Sequence, residues 1–369
     1  MNSLTFYRTS APWHKRIRLD WPLTLGIVLL SLLGLVILYS AKPDIAVIQR
    51  QILRLFFAAA VMITIAQVPP RALKTIAPWL YGIGLTLLVS VLLIGHISKG
   101  GQRWLDLSFM RFQPAELMKI AVPLLLAKYL ENRLLPPRFT TLILPIILIL
   151  TPAILIAKQP DLGTALLIFS SGFLVIFFAG ISWGFISAIT ALIAFSLPLL
   201  WFLLREYQQQ RVLILLDPTR DPLGDGYQII QSKIAIGSGG FYGKGWLNGS
   251  QSHLEFLPEK TTDFIFAVFS EEFGLIGSLI LLALYCFIIF RGLYISIRAQ
   301  DTFSRLLAGS FIMTFFVYVF VNIGMVTGIL PVVGIPLPLV SYGGTSLVTL
   351  MASFGMLMSI HTHRSLLAK

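Results

Sequence analysis

Residues 205–263 read REYQQQRVLILLDPTRDPLGDGYQIIQSKIAIGSGGFYGKGWLNGSQSHLEFLPEKTTD and run directly into residues 264–290, FIFAVFSEEFGLIGSLILLALYCFIIF. The first stretch is the only long polar interruption in a chain that is otherwise apolar enough for a membrane. The second, as a helix rising about 1.5 Å per residue, reaches roughly 40 Å against about 30 Å of bilayer hydrocarbon. The excess has to be accommodated, so the first two turns, with Glu271 and Glu272, are expected at or above the lipid headgroups or facing a wet cavity. Asp263 marks the point where loop meets membrane.

Working outward, 56% of the 369 residues are hydrophobic and 12% are charged, where a soluble domain carries about 25% charged residues. The mean hydropathy is +0.84. These values exclude a soluble protein and imply one all-α, polytopic membrane domain over 1–369, with 205–263 as its large extracytoplasmic loop. The net charge of +12 is therefore a topology signal before it is a sign of nucleic acid, and no nucleic-acid partner is expected. Cys286 lies alone in an apolar run, which leaves no disulfide framework and no thiolate metal site. His14, His96, His253, His361 and His363 lack zinc spacing. Basic residues Arg8, Lys15, Arg16 and Arg18 precede an apolar stretch too long for a signal-peptide core, so an uncleaved first span is expected.

Candidate spans are 21–40, 51–68, 76–95, 114–130, 139–157, 162–180, 183–204, 264–291, 304–327 and 341–360. Ten spans place both termini on one side. Calling that side cytoplasmic puts 14 of the 28 Lys and Arg there, against 8 on the other side once the 6 in the long loop are set apart, as the positive-inside rule requires. Of the acids, Asp20, Glu131 and Asp301 alone fall on the cytoplasmic side.

Under this topology spans four, six, eight and ten all start at the outer face, and each opens with a polar motif: Gln113-Pro114-Ala115-Glu116, Gln159-Pro160-Asp161-Leu162, Thr261-Thr262-Asp263-Phe264 and Ser341-Tyr342-Gly343-Gly344. Such residues are ordinary helix-start signals. Four converging positive helix ends would also suit a phosphate-bearing ligand. The tract 328–339, GILPVVGIPLPL, holds two glycines and three prolines and is expected as a loop dipping into the interface, not a span.

Asp263 reads either as a helix-start acid stabilised by the dipole or as a general base raised by burial and by its acidic neighbours. Glu116 and Lys119, three apart on one helix face, form a self-neutralising pair that also marks a polar cavity, because ionisable groups inside a span are costly. Asp161, at a helix start, has the same two readings as Asp263. Among the basic residues of the outer side, Arg103, Arg211, Lys233 and Lys244 are the candidates to clamp a pyrophosphate; most basic groups there will be solvated or will snorkel. GSGGFYGKG (237–245) lacks the spacing of a phosphate loop and reads as a flexible loop closing over a substrate, or as a turn-rich linker.

The stretches KGGQRWLDL (99–107), RFQPAELMKIAVP (111–123), AKQPDLGTALL (157–167), 216–277 and GILPVVGIPLPLVSYGGTS (328–346) together resemble the shape, elongation, division and sporulation (SEDS) family over residues 21–364. KGGQRWLDL and the IHTHR tail favour its elongation branch over its division branch. The resemblance implies a peptidoglycan glycosyltransferase that polymerises lipid II on the outer face of the bacterial cytoplasmic membrane. It also implies a class B penicillin-binding protein transpeptidase as partner, beside other membrane proteins of the elongation complex. The family's essential aspartate falls on Asp263, its intramembrane acid and lysine on Glu116 and Lys119, and the acid of its QPDLG motif on Asp161. Thr261 stands where many relatives carry histidine, and Thr345 where serine is frequent. No cofactor is firmly implied, although a divalent cation, Mg or Mn, could assist the leaving group. A flippase for lipid-linked precursor and a non-catalytic scaffold are the alternatives.

Overall fold

The computed structural model describes residues 18–98, 101–106, 111–181, 184, 187, 191, 195–196, 201–202, 206–221, 224–253 and 256–363. Start signals fix where the apolar runs become helices. Asp20 caps α1 (Trp21–Ala41) by accepting from the Leu23 N–H at 2.9 Å, and Asp44 caps α2 (Ile45–Gln67) through the Ala46 N–H at 2.9 Å. Proline opens α3 (Pro70–Ile94) and α4 (Pro114–Glu131), where its missing N–H costs nothing. After α5 (Phe139–Lys158), Asp161 caps α6 (Leu162–Phe178) through Thr164 N. The long polar loop holds α7 (Glu206–Leu216), α8 (Asp225–Gly239) and the single turn α9 (Ser250–His253), and three long helices follow: α10 (Ile265–Ile297), α11 (Thr302–Val326) and α12 (Thr345–Thr362).

Among the described residues, nine of the ten expected spans coincide with helices to within six residues at either end; most of the one expected over 183–204 lies outside them. Helices α1–α3, α5 and α10–α12 are long and apolar enough to cross a membrane. The all-helical plan acquires one addition, a small antiparallel sheet between α3 and α4 in the order β1 (His96–Ser98), β2 (Gly101–Asp106), β3 (Arg111–Phe112). In the bundle α12 lies along α2, α3 along α4, and α10 between α1 and α11, while α11 also covers α6.

Two expectations are corrected. The excess length of the 264–290 run is absorbed by a break at Gly274, whose φ of 64° and ψ of −159° interrupt α10. Glu271 and Glu272 do not face a wet cavity: both are sealed in protein, at 0% and 1% exposure. Lys244 Nζ donates to Glu271 at 2.6 Å, joined by Ser250 Oγ at 3.0 Å and Gln251 N at 3.1 Å, and Ser40 donates to Glu272. Residues 240–245 fill the break with backbone bonds, Leu275 N to Gly240 O at 2.9 Å and Gly245 N to Glu272 O at 3.0 Å. The glycine-rich loop is a strap rather than a lid, because a Cβ at Gly274 would meet Gly243 N at 2.4 Å.

The second correction concerns 328–339, which runs through the bundle interior instead of along the interface. Its Val332, Ile335, Leu337 and Leu339 are buried. The loop's backbone groups are satisfied from the core, Pro338 O by the Tyr285 hydroxyl at 2.7 Å, Ile335 O by Asn322 Nδ2 at 2.7 Å and Leu337 N by Ser341 Oγ at 2.8 Å. Irregular backbone survives at membrane depth only under such cover. Gly34 of α1 makes room for it, since a Cβ there would stand 2.7 Å from Leu339 O.

At the opposite end, Asp20 ties three helices together. Arg291 of α10 donates through Nε at 3.0 Å and Nη2 at 2.7 Å, and His361 Nδ1 of α12 lies 2.8 Å from Asp20 Oδ2. The start of the first described helix and the end of the last therefore meet at one end of the bundle. Burial alone would raise the Asp20 carboxyl, but His361, the Arg291 guanidinium and the Leu23 N–H together hold it well below the usual carboxylate range. The unfolded chain takes up the proton first, so the contribution of this clasp is complete above about pH 4 and declines as pH falls. Asp20→Asn is expected to cost about 3 kcal/mol, because it leaves Arg291 partly buried without its anion. Thermal unfolding in detergent should show that loss at pH 7, with the gap between variant and parent narrowing as the medium is acidified below pH 4.

Candidate active site

The starts of α4, α6, α10 and α12 lie at the end of the bundle away from Asp20, and side chains link them in a closed circuit. Gln113 Nε2, ahead of α4, donates to Asp161 Oδ2 at the start of α6, 3.1 Å away. At Gly163, in the first turn of α6, the Val333 carbonyl approaches so closely that a Cβ would stand 2.8 Å from it. The next residue of that loop, Gly334, faces Asp263, whose Oδ2 would be 3.4 Å from a side chain placed there. Beside Asp263, the Thr262 carbonyl accepts from Ser341 Oγ at 2.5 Å and the Thr261 carbonyl from Tyr342 N at 2.9 Å, which joins α10 to the approach of α12. Thr349 Oγ1, one turn into α12, donates to Glu116 Oε2 at 2.7 Å and closes the circuit on α4.

Inside this circuit Lys119 Nζ donates to Glu116 Oε1 at 2.7 Å. Glu116 is 4% exposed, and both of its oxygens are engaged, one by Lys119 and one by Thr349. Lys119 Nζ also lies 5.2 Å from the ring centroid of Tyr318 of α11, a cation–ring contact. A buried pair persists only where its remaining lone pairs and protons find partners, and Thr349 and Tyr318 supply them. Tyr318 also borders a cavity of about 30 Å³ with Leu337, Ser341 and Ser346, large enough for a water and not for a sugar.

Asp161 is similarly committed. Its Oδ1 caps Thr164 N at 3.2 Å, and its Oδ2 takes Gln113 and stands 3.8 Å from Arg103 Nε. Arg103, carried in by β2, also donates to the carbonyls of Gln159 and Pro160, which fixes the sheet to the turn before α6. Asp263 differs from both other acids. It is half-buried, in the turn before α10, and its own carbonyl is held by Asn322 Nδ2 at 2.9 Å. That same amide grips Ile335 O, so Asn322 sets Asp263 and the Gly334 loop in register.

The four basic candidates separate. Arg103 joins the circuit through Asp161. Lys233 of α8 is exposed and overlies Gly328 at the head of the buried loop, where a Cβ would meet its Nζ at 2.6 Å. Lys244 belongs to Glu271 in the strap, and Arg211 lies on α7, against the Pro218–Arg220 turn and α8. Sequence reasoning passed over Thr349, Tyr318, Asn322 and Arg54. Arg54, half-buried on α2, places its guanidinium 4.5 Å over the Tyr342 ring at the start of α12. A lone arginine inside the otherwise apolar run 51–68 was the available signal. Among the described residues no cluster of three or more His, Cys, Asp or Glu could hold a metal ion.

A family model described as "Cell cycle protein" and named for FtsW, RodA and SpoVE matches residues 20–366. The chain is 54% identical over 359 residues to the peptidoglycan glycosyltransferase MrdB of Escherichia coli strain K12, covering 97% of each chain. It is 37% identical over 362 residues to the probable peptidoglycan glycosyltransferase FtsW of Geobacter metallireducens, covering 94% of this chain and 95% of that one. Among solved structures, one described as "Structural coordination of polymerization and crosslinking by a peptidoglycan synthase complex" aligns with a TM-score of 0.82 at 36% identity, over 94% of this chain and 99% of that one. The crystal structure of the rod shape determining protein RodA of Thermus thermophilus aligns at 0.72 and 30% identity, over 94% and 98% of the two chains.

Lys119→Met leaves the Glu116 carboxylate buried without its cation and should lower stability by about 3–5 kcal/mol. The double variant Glu116→Gln with Lys119→Met, which removes both charges, should recover most of that loss. Unfolding midpoints of the parent and the two variants in one detergent check this.

Proposed function

This chain belongs to the FtsW/RodA/SpoVE family, and from that premise we infer how it works as a peptidoglycan glycosyltransferase of the cell-shape branch. The reading is an inverting transfer in which the C4 hydroxyl of an N-acetylglucosamine attacks the anomeric carbon of an N-acetylmuramic acid carried on undecaprenyl pyrophosphate. The new C–O bond forms as the bond to pyrophosphate breaks, and the hydroxyl proton passes to a carboxylate. Lipid II is the substrate, and the ring of helix starts faces the outer side of a bacterial cytoplasmic membrane, with both ends of the chain in the cytoplasm. Names of relatives favour this over a flippase or a scaffold.

One observation supports Asp263 as the base. Glu116 is buried with both oxygens engaged, and Asp161 is buried with its oxygens on Thr164, Gln113 and Arg103. Asp263 alone of the three is half exposed, on a turn held by Asn322. An alcohol is a poor nucleophile at neutral pH, and a positioned general base contributes about 10²–10⁴-fold. Glu116 and Lys119 shape the cavity, and Asp161 with Arg103 fixes the acceptor side. Charge developing on the pyrophosphate meets the amino ends of four helices, with Arg54 at the start of α12 and Lys233 at the head of the buried loop. Arg211 and Lys244 support the outer loop instead of the phosphates. A Mg or Mn ion, when bound, would add charge neutralisation, held by phosphate oxygens and single carboxylates. The polymer passes to a class B penicillin-binding protein transpeptidase working with other elongation-complex proteins.

Asp263→Asn keeps the shape of the turn and removes the proton acceptor. With purified protein, transpeptidase partner and lipid II, glycan synthesis should fall at least about 100-fold while membrane abundance and thermal stability stay at parental values. Synthesis within a few-fold of the parent would exclude Asp263 as the base.

A further inference from the structure

The far end of α4, opposite Glu116 and Lys119, carries Leu125, Lys128, Tyr129, Asn132 and Arg133, and these five line a cleft of about 390 Å³. Their spacing places them along one stripe of the helix and the turn that ends it. The Arg133 guanidinium stacks 5.0 Å over the Tyr129 ring, so the stripe presents an apolar residue, an aromatic at mid-height and two cations at its end.

Among the described residues the cations are uncompensated. Neither Lys128 nor Arg133 forms an ion pair with a described residue, and the acid nearest in sequence, Glu131, is taken by Lys74 of α3. The other two acids of this end are equally committed: Asp20 holds Arg291, and Asp301 caps Ser304 N at 3.0 Å. A positive cleft is thus left at the Lys- and Arg-rich membrane boundary, next to the exposed apolar side chains of Leu134 and Phe139.

We propose that this cleft is a binding site for the headgroup of an anionic phospholipid. The phosphate would sit between Lys128 and Arg133 with the Asn132 amide beside it, and the acyl chains would descend past Tyr129 along Leu125. A diacyl chain explains why the stripe continues into apolar surface below the charges, which a free anion does not require. A lipid seated here steadies the end of the helix whose other end carries the Glu116–Lys119 pair. The site does not depend on the glycosyltransferase reading.

Each basic residue near a membrane surface is worth about a factor of five in affinity for anionic lipid, so the pair should contribute about thirtyfold. The full chain, purified in a neutral detergent, is titrated with dioleoylphosphatidylglycerol, with dioleoylphosphatidylcholine and with inorganic phosphate, reading bound lipid by native mass spectrometry and the unfolding midpoint. The phosphatidylglycerol should bind and raise the midpoint, less so at high salt, and the other two should not. Lys128→Gln with Arg133→Gln should lower that affinity about thirtyfold while keeping the lipid-free midpoint. Lys128→Arg with Arg133→Lys should retain binding, which separates lost charge from lost fold. Equal binding by the glutamine variant, equal binding of phosphatidylcholine, or displacement by inorganic phosphate would each overturn the proposal.

Discussion

A carboxylate and an ammonium held together inside a membrane bundle set the terms for the rest of this structure. Glu116 and Lys119 cannot be left half-satisfied at that depth, so Thr349 of α12 and Tyr318 of α11 must reach them. That requirement fixes how far α4, α11 and α12 slide along one another. With those three in register, the starts of α6 and α10 meet the same region through Gln113 with Asp161 and Ser341 with Thr262. The loop 328–344 closes the circuit because prolines remove donors from its backbone and core side chains satisfy what remains. One buried pair thereby positions residues on helices that never touch it.

Much of this was legible in the chain. Length and hydropathy located the helices, and the alternation of sides placed Gln113, Asp161, Asp263 and Ser341 at one end. That alternation also brought Asp20 and His361 to the other end. What failed to show was whatever depends on pairing across distance. The break at Gly274 looks, in sequence, like any glycine in an apolar run, and its necessity appears only once Phe241 and Gly243 are seen against it. Glu271 and Glu272 read as wet because acids usually are; Lys244 and Ser40, 27 and 232 residues away, make them dry. Thr349 and Asn322 carry no charge, so nothing in a single sequence marks them as the residues that hold Glu116 and Asp263.

The strap gives the long polar loop a mechanical role. By bonding its backbone to the interrupted α10, it isolates residues 265–273 as a short rigid segment, with the break at one end and Asp263 at the other. Asn322 holds the head of that segment to α11. The general base proposed at Asp263 has to stay within hydrogen-bond reach of its proton, and a short helix fixed at both ends is a stiffer mount than the end of a continuous 33-residue helix. Lys244 neutralises Glu271 where the strap crosses, and so helps hold the segment that ends at Asp263.

The same logic separates the two ends of α4. Its first turn is locked by charge pairing and hydrogen bonds, and Pro123 then removes one backbone donor from the middle of the helix, which weakens the coupling between its halves. Among the described residues the last turn keeps the Lys74–Glu131 pair as its one ion pair, beside the buried Ala127 and Leu130, and under the proposed lipid site Lys128 and Arg133 would face a headgroup. A helix so built can keep its polar end invariant while its basic end follows the bilayer. The buried pair would feel the membrane only through the few residues between Pro123 and Lys128, all of them apolar, and an apolar connection transmits position without transmitting charge.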